Sequence, residues 1–124
     1  MQRWLFLATG CFVSFVGLVL LLAPHSYFQL YATQYDPGMD LPTRRFAPAV
    51  LALGVVLIMA RSLSPGRFLA SLSLICALAF LGVAATGLLA WSSGVARPTI
   101  LWAAVVEGSL AVLFFAVWLR MPRE

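Results

Sequence analysis

The sequence predicts an all-α fold: an integral-membrane bundle of four transmembrane helices, with a short interfacial helix in the first loop. Three observations carry this. The 124 residues are 63% hydrophobic and only 10% charged, with a mean hydropathy of +1.01. That apolar share is too large for a soluble core to hide, so much of it must face lipid. Four apolar runs stand out, at 4–23, 46–60, 68–91 and 99–119, and ~20 apolar residues suffice to cross ~30 Å of hydrocarbon. All eight cations are arginines, and each lies between or beside the runs. One membrane domain over 1–124 follows, with helices expected at 4–23, 44–62, 68–91 and 98–120.

The first run is longer than a signal-peptide apolar region of ~7–15 residues and has no small-residue cleavage site. It is therefore expected to remain as a helix, ending at Pro24, which cannot continue the hydrogen-bond ladder. The segment 24–45 is the longest polar stretch. Tyr27, Phe28, Tyr31 and Tyr35 recur there at helical spacing, as residues of the membrane–water boundary do. An interfacial helix over the first half of the segment is predicted. Asp36-Pro37-Gly38 then signals a turn, and Thr43 is the candidate N-cap of the second span.

That second run is short unless it extends into Arg44, Arg45 and Arg61, whose stems can snorkel to the interface. Pro48 would then fall just past its first turn and loosen it. The loops at 61–67 and 92–98 are short, so sequential helices are expected to be antiparallel neighbours. Pro98 suits the first turn of the last helix. Small residues allow close helix approach in lipid. Candidates are Gly10, Ser14 and Gly17 in the first span, Gly82, Thr86 and Ala90 in the third, and Ala104 and Gly108 in the fourth.

With four spans, Arg3, Arg61, Arg67, Arg120 and Arg123 share one side, against Arg44, Arg45 and Arg97 on the other. This excess predicts an inner (plasma) membrane protein with both termini cytoplasmic. The arginines form no continuous basic face, so no nucleic-acid partner is expected. The partners implied are the lipid bilayer and, within it, another membrane protein or a second copy. Cys11 and Cys76 match no redox or zinc spacing, and both are expected to pack as small buried residues. His25 has no second ligand at metal spacing, and Asp36 and Asp40 read as part of a turn. Trp4, Trp91, Trp102 and Trp118 fall near helix ends, as in an aromatic belt. No metal site, cofactor or catalytic set is predicted, because no Ser-His-Asp, HExxH, GxGxxG or P-loop spacing occurs.

The candidate site is Glu107, the only acidic residue inside an apolar run. An ionisable group within a span is costly and marks function by default. Its helical face carries Ile100, Ala103, Ala104, Leu110, Ala111 and Phe114, whereas Trp102, Val105, Leu113 and Ala116 lie opposite. Glu107 is thus expected to point inward. Three readings stand. The carboxyl ties helices together through Thr9, Ser14, Ser71, Ser73 or Thr86. Or it pairs with an arginine at a helix end, Arg45 first and Arg97 next. Or it handles a proton or ligand, since burial favours its neutral form. The ion pair must cover a distance, because Glu107 lies about eight residues, or ~12 Å, into its helix.

Three stretches carry a family resemblance. The first span runs into Leu20-Leu21-Leu22-Ala23-Pro24. An arginine precedes a small-residue helix at Arg45-Phe46-Ala47-Pro48-Ala49-Val50-Leu51-Ala52-Leu53-Gly54. The last span has a glutamate early in its apolar run, at Val105-Val106-Glu107-Gly108. This pattern resembles the small bacterial four-helix membrane proteins of the DUF4345/DoxX-like kind, and it departs from them at Ala85-Thr86-Gly87, where they carry an arginine. The resemblance implies a four-span bundle and no defined activity. The function expected from the residues is a non-enzymatic module, an accessory subunit or a binder of a membrane partner or lipophilic ligand. The alternative is a small proton-coupled transporter using Glu107.

Overall fold

In the computed structural model, residues 1–122 are described. Arg123, counted above among the arginines of the terminal side, lies outside the described residues. Five α-helices follow in order: α1 (Gln2–Leu22), α2 (Pro24–Tyr31), α3 (Asp40–Ala60), α4 (Arg67–Ser92) and α5 (Ile100–Arg120), with a 3-10 turn over Pro37–Met39 between α2 and α3. No strand occurs among the described residues. Four of the helices are long and apolar enough to cross a bilayer, and the fifth, α2, is the short one.

Pro24 ends one helix and starts the next. The residue before a proline is pushed out of the helical region, and Ala23 stands at φ −141°, ψ 58°. Pro24 then occupies the first position of α2, where its missing N–H costs nothing. α2 stops at Tyr31, so Tyr35 does not extend it as the tyrosine spacing suggested. The side chain of Asp36 caps the next turn, accepting from the Gly38 N–H at 2.8 Å.

α3 begins at Asp40, earlier than the sequence suggested. Asp40 lies in its first turn, where the helix dipole favours a carboxylate. Thr43 is consequently inside the helix and is not its cap. Its hydroxyl donates back to the Met39 carbonyl at 2.8 Å. The early start makes α3 long enough to span and moves Pro48 well into it. There the proline leaves the Arg44 carbonyl without its helical donor. Pro98 likewise lies just before α5, in a turn where Ile100 N–H bonds Arg97 O.

The helices meet as two close pairs, α1 with α3 and α4 with α5. α3 and α4 are consecutive and joined by a short loop, yet their backbones do not run close together. The α1–α3 contact is glycine-built. A Cβ on Gly10 would lie 2.8 Å from both the Gly54 carbonyl and the Ile58 nitrogen, and one on Gly17 would lie 2.9 Å from the Leu51 nitrogen. The stripe expected on α4 makes no such contact. A Cβ on Gly82 would meet nothing within 4 Å, and Thr86 is exposed and bonds only its own helix at Val83 O.

Larger side chains fill the space between the pairs. Phe6 and Phe114 are both fully buried, with ring centroids 5.2 Å apart edge to face, and Phe80 stacks on Phe114 at 6.1 Å. Leu5, Val13, Leu57, Leu69, Cys76 and Val117 belong to the same cluster. Most of these lie in the half of the bundle nearest the chain termini, with Val13 and Phe80 at mid-span. In the other half the buried helix positions are small: Gly17, Ala47, Ala84 and Ala104. Small residues there let the helices approach closely, as Gly17 does against Leu51. Apolar surface covers the outside, with Trp4, Phe15, Phe46, Phe68, Trp102 and Val112 each more than 60% exposed. Cys11 is also exposed, contrary to the expectation that it would be buried; Cys76 is buried, and both are free thiols.

Candidate functional site

The half away from the chain termini is capped by α2, which is strapped to the loop between α4 and α5. Ala32 and Ala96 form an antiparallel bridge. Thr33 N–H donates to Val95 O at 3.1 Å, and Arg97 N–H donates to Tyr31 O at 2.7 Å. Side chains add to this strap. The Thr33 hydroxyl reaches Gly94 O and Val95 O at 3.1 and 3.0 Å. Arg97 Nε donates to Ala32 O at 2.8 Å, and the Thr99 hydroxyl donates to Leu30 O. Gly94 sits at φ 79°, a left-handed turn that favours glycine.

Alongside α2 an apolar groove of about 320 Å³ runs between α1, α2 and α3. Leu20, Tyr27, Phe28, Phe46, Ala47 and Val50 line it, with Pro42 and Thr43 at its end. Small-molecule sites occupy roughly 300–1,000 Å³, so the groove has room for one slender ligand. Ala47 leaves the space, Phe46 stands 65% exposed at the outer edge, and the aromatic rings of α2 close the top. Tyr27 packs edge to face on Tyr31 at 4.9 Å and on Phe28 at 5.9 Å. Beside it His25 meets the Tyr35 ring at 4.7 Å. The Tyr35 hydroxyl donates to Asp40 Oδ2 at 2.7 Å, which holds that phenol above its ordinary pKa. Asp40 Oδ1 is buried and has no hydrogen-bond partner among the described residues.

Glu107 is half-buried on α5. The residues sharing its face behave as the helical period requires, with Ala104, Ala111 and Phe114 buried and Trp102, Val105 and Leu113 exposed. Neither of the structural partnerships considered for its carboxylate forms among the described residues. Arg45 is exposed at the start of α3. Arg97 turns its Nε to the strap instead. Ser73 and Thr86 bond their own helices, while Thr9 and Ser14 have no partner at all. Arg45 and Arg97 are thus not brought together with Glu107.

Tyr27 is the residue that does feel Glu107. Burial raises its phenol above the ordinary value first, and the Glu107 carboxylate adds to this, with Tyr31 after it. Tyr27 therefore joins two features, lining the groove and standing within electrostatic range of the carboxylate. The sequence marked Tyr27 only as a boundary aromatic. Its spacing to Tyr31 was legible, but its tie to Glu107, eighty positions along, depends on the strap. No three of His, Cys, Asp and Glu gather as a metal would require among the described residues. No protein-family model, curated protein or solved structure matches this chain.

Proposed function

We propose that the protein is a non-enzymatic membrane module that binds a lipophilic molecule in the groove alongside α2. The observation that carries this is the groove itself, an open apolar cleft walled by Leu20, Phe46 and Val50 with Tyr27 and Phe28 of α2 along it. The four spans lie in a cell inner membrane with both termini cytoplasmic. Arg3, Arg61, Arg67 and Arg120 at the terminal end, against Arg44, Arg45 and Arg97 at the strap end, support that orientation. The exposed apolar residues then face acyl chains, and a lipophilic ligand enters sideways past Phe46. The likeness of three stretches to DoxX-like proteins agrees with such a bundle and assigns it no activity.

Dodecanol is a suitable probe, being a single alkyl chain with a small neutral head. Wild-type protein in mild detergent is expected to bind it saturably. Val50→Trp fills the groove from α3 and is expected to weaken binding about tenfold or more, ~1.4 kcal/mol. Val112→Trp on the exposed face of α5 is the control and leaves binding as it was. Equal losses in the two variants, or none in either, would exclude the groove.

A second reading is favoured by one observation, the half-buried Glu107, whose carboxylate has no hydrogen bond or ion pair among the described residues. A small proton-coupled transporter would use such a carboxylate. Under that reading, reconstituted vesicles show a flux that follows the pH gradient and vanishes in Glu107→Gln.

A further inference from the structure

The end of the bundle where α1 begins and α5 ends carries charge of one sign. Each of the four spanning helices places one arginine there: Arg3 in the first turn of α1, Arg61 just past α3, Arg67 at the start of α4 and Arg120 at the end of α5. All four are exposed, and none makes an ion pair or a side-chain hydrogen bond among the described residues. No carboxylate stands at that end among the described residues. The opposite end differs. There Arg97 bonds the Ala32 carbonyl, and Asp40 lies one turn before Arg44 on α3.

Packing sets two of these arginines side by side. A Cβ on Gly87 would lie 3.3 Å from Ile100 Cγ1, so the two residues face each other across α4 and α5. Arg67 lies twenty residues before Gly87, and Arg120 lies twenty after Ile100. On antiparallel helices of equal rise both then stand at one height, on axes ~8–10 Å apart. Two like charges at this spacing repel, and an anion between them relieves the repulsion. Arg67 also stands at the positive end of the α4 dipole, where a cation is disfavoured and no side chain caps the helix. One residue toward the membrane from each arginine is a large exposed apolar side chain, Phe68 on α4 and Leu119 on α5. Arg3 and Trp4 repeat this arrangement on α1.

We propose that this end binds an anionic phospholipid, whose phosphate is received between Arg67 and Arg120 and whose acyl chains lie along Phe68 and Leu119. The planar guanidinium fork matches phosphate oxygens. A cation with an apolar side chain beneath it complements a molecule that is anionic at one end and apolar beyond it. A free anion would satisfy the arginines and leave Phe68 and Leu119 uncovered. A phosphatidylcholine brings the same phosphate together with a cationic head that the arginines repel, so a net negative lipid is preferred. This surface lies at the other end of the bundle from the groove, so it stands or falls independently of the lipophilic-binding reading.

The test offers the protein equal amounts of phosphatidylglycerol and phosphatidylcholine in mild detergent and counts the lipids retained by native mass spectrometry. Wild-type protein is expected to retain phosphatidylglycerol in about tenfold or greater excess, since each arginine at such a surface attracts anionic lipid and two act together. The double variant Arg67→Gln with Arg120→Gln is expected to bring the ratio near one. Arg67→Lys with Arg120→Lys keeps both charges and is expected to keep most of the preference. The charge-matched pair Arg44→Gln with Arg45→Gln, at the opposite end, is expected to leave the ratio as in wild type. Circular dichroism of each variant separates a folding defect from a lost contact. A wild-type ratio near one, a preference that survives loss of both Arg67 and Arg120, or equal losses in the two Gln pairs overturns the proposal. Inorganic phosphate in large excess is expected not to displace the lipid; displacement would mean that the arginines take a free anion, and the lipid assignment would fail.

Discussion

Gly54→Leu is expected to prevent α1 and α3 from closing, and Gly10→Leu to do the same from the other side. A first side-chain carbon on Gly54 would already lie 2.7 Å from the Ser14 nitrogen and 3.0 Å from the Gly10 carbonyl oxygen. These are backbone atoms, which cannot swing aside as a flexible side chain can. Even Gly54→Ala forces the helices apart. Overpacking of this kind costs about 1–3 kcal/mol, which outweighs the ~1 kcal/mol by which alanine favours a helix over glycine. In lipid this loss is not recovered elsewhere, because helix association there depends on close packing more than on the hydrophobic effect. Thermal unfolding in detergent, followed by circular dichroism, is expected to give a lower midpoint for Gly54→Ala and no cooperative transition for Gly54→Leu. Gly82→Ala, where a Cβ meets nothing within 4 Å, is the matched control and is expected to hold or raise the midpoint. Equal effects at positions 54 and 82 would mean that the close α1–α3 pairing is wrong.

The second large effect concerns the strap. Thr33→Pro deletes the N–H that bonds Val95 O and the hydroxyl that reaches Gly94 O and Val95 O. Each hydrogen bond contributes a net ~0.5–1.5 kcal/mol. Their joint loss is expected to release α2 and accelerate hydrogen exchange of its amides about 10–100-fold. The exchange of α1 and α5 interiors should not change, since those bonds are internal to each helix. Dodecanol affinity falls with the same variant, because Tyr27 and Phe28 no longer close the groove. Unaltered exchange in α2 would show that the hairpin-like union of residues 31–33 with 94–97 does not hold it.

The spans were legible because length and hydropathy alone decide them. Residues 2–22, 67–92 and 100–120 differ from the expected ranges by no more than two positions at either end, the ordinary uncertainty of helix boundaries. α3 was harder. Its first two turns hold Asp40, Pro42, Arg44 and Arg45, which carry no apolar signal, and Thr43 has the residue type of a cap. The start was set instead by the Asp36-capped turn. Helix pairing was only half legible. Gly10–Ser14–Gly17 and Gly82–Thr86–Ala90 both follow helical small-residue spacing, yet only the first meets a glycine, Gly54, on a facing helix. Spacing within one helix says nothing of what lies opposite it. Glu107 was legible as a candidate from its depth in an apolar run. Its relation to Tyr27 was not, because it arises from Ala32, Thr33 and Arg97 joining segments some sixty residues apart.

The central claim is that an alkyl chain seats in the groove between α1, α2 and α3. Photolabelling tests it most directly. A dodecanol analogue carrying a diazirine midway along its chain is irradiated with the protein in micelles, and the adducts are mapped by peptide mass spectrometry. The account predicts adducts on Tyr27, Phe46 and Val50, suppressed by excess dodecanol. Adducts concentrated on Trp102 and Val112 of the outer face, or an even spread that excess dodecanol does not suppress, would contradict it.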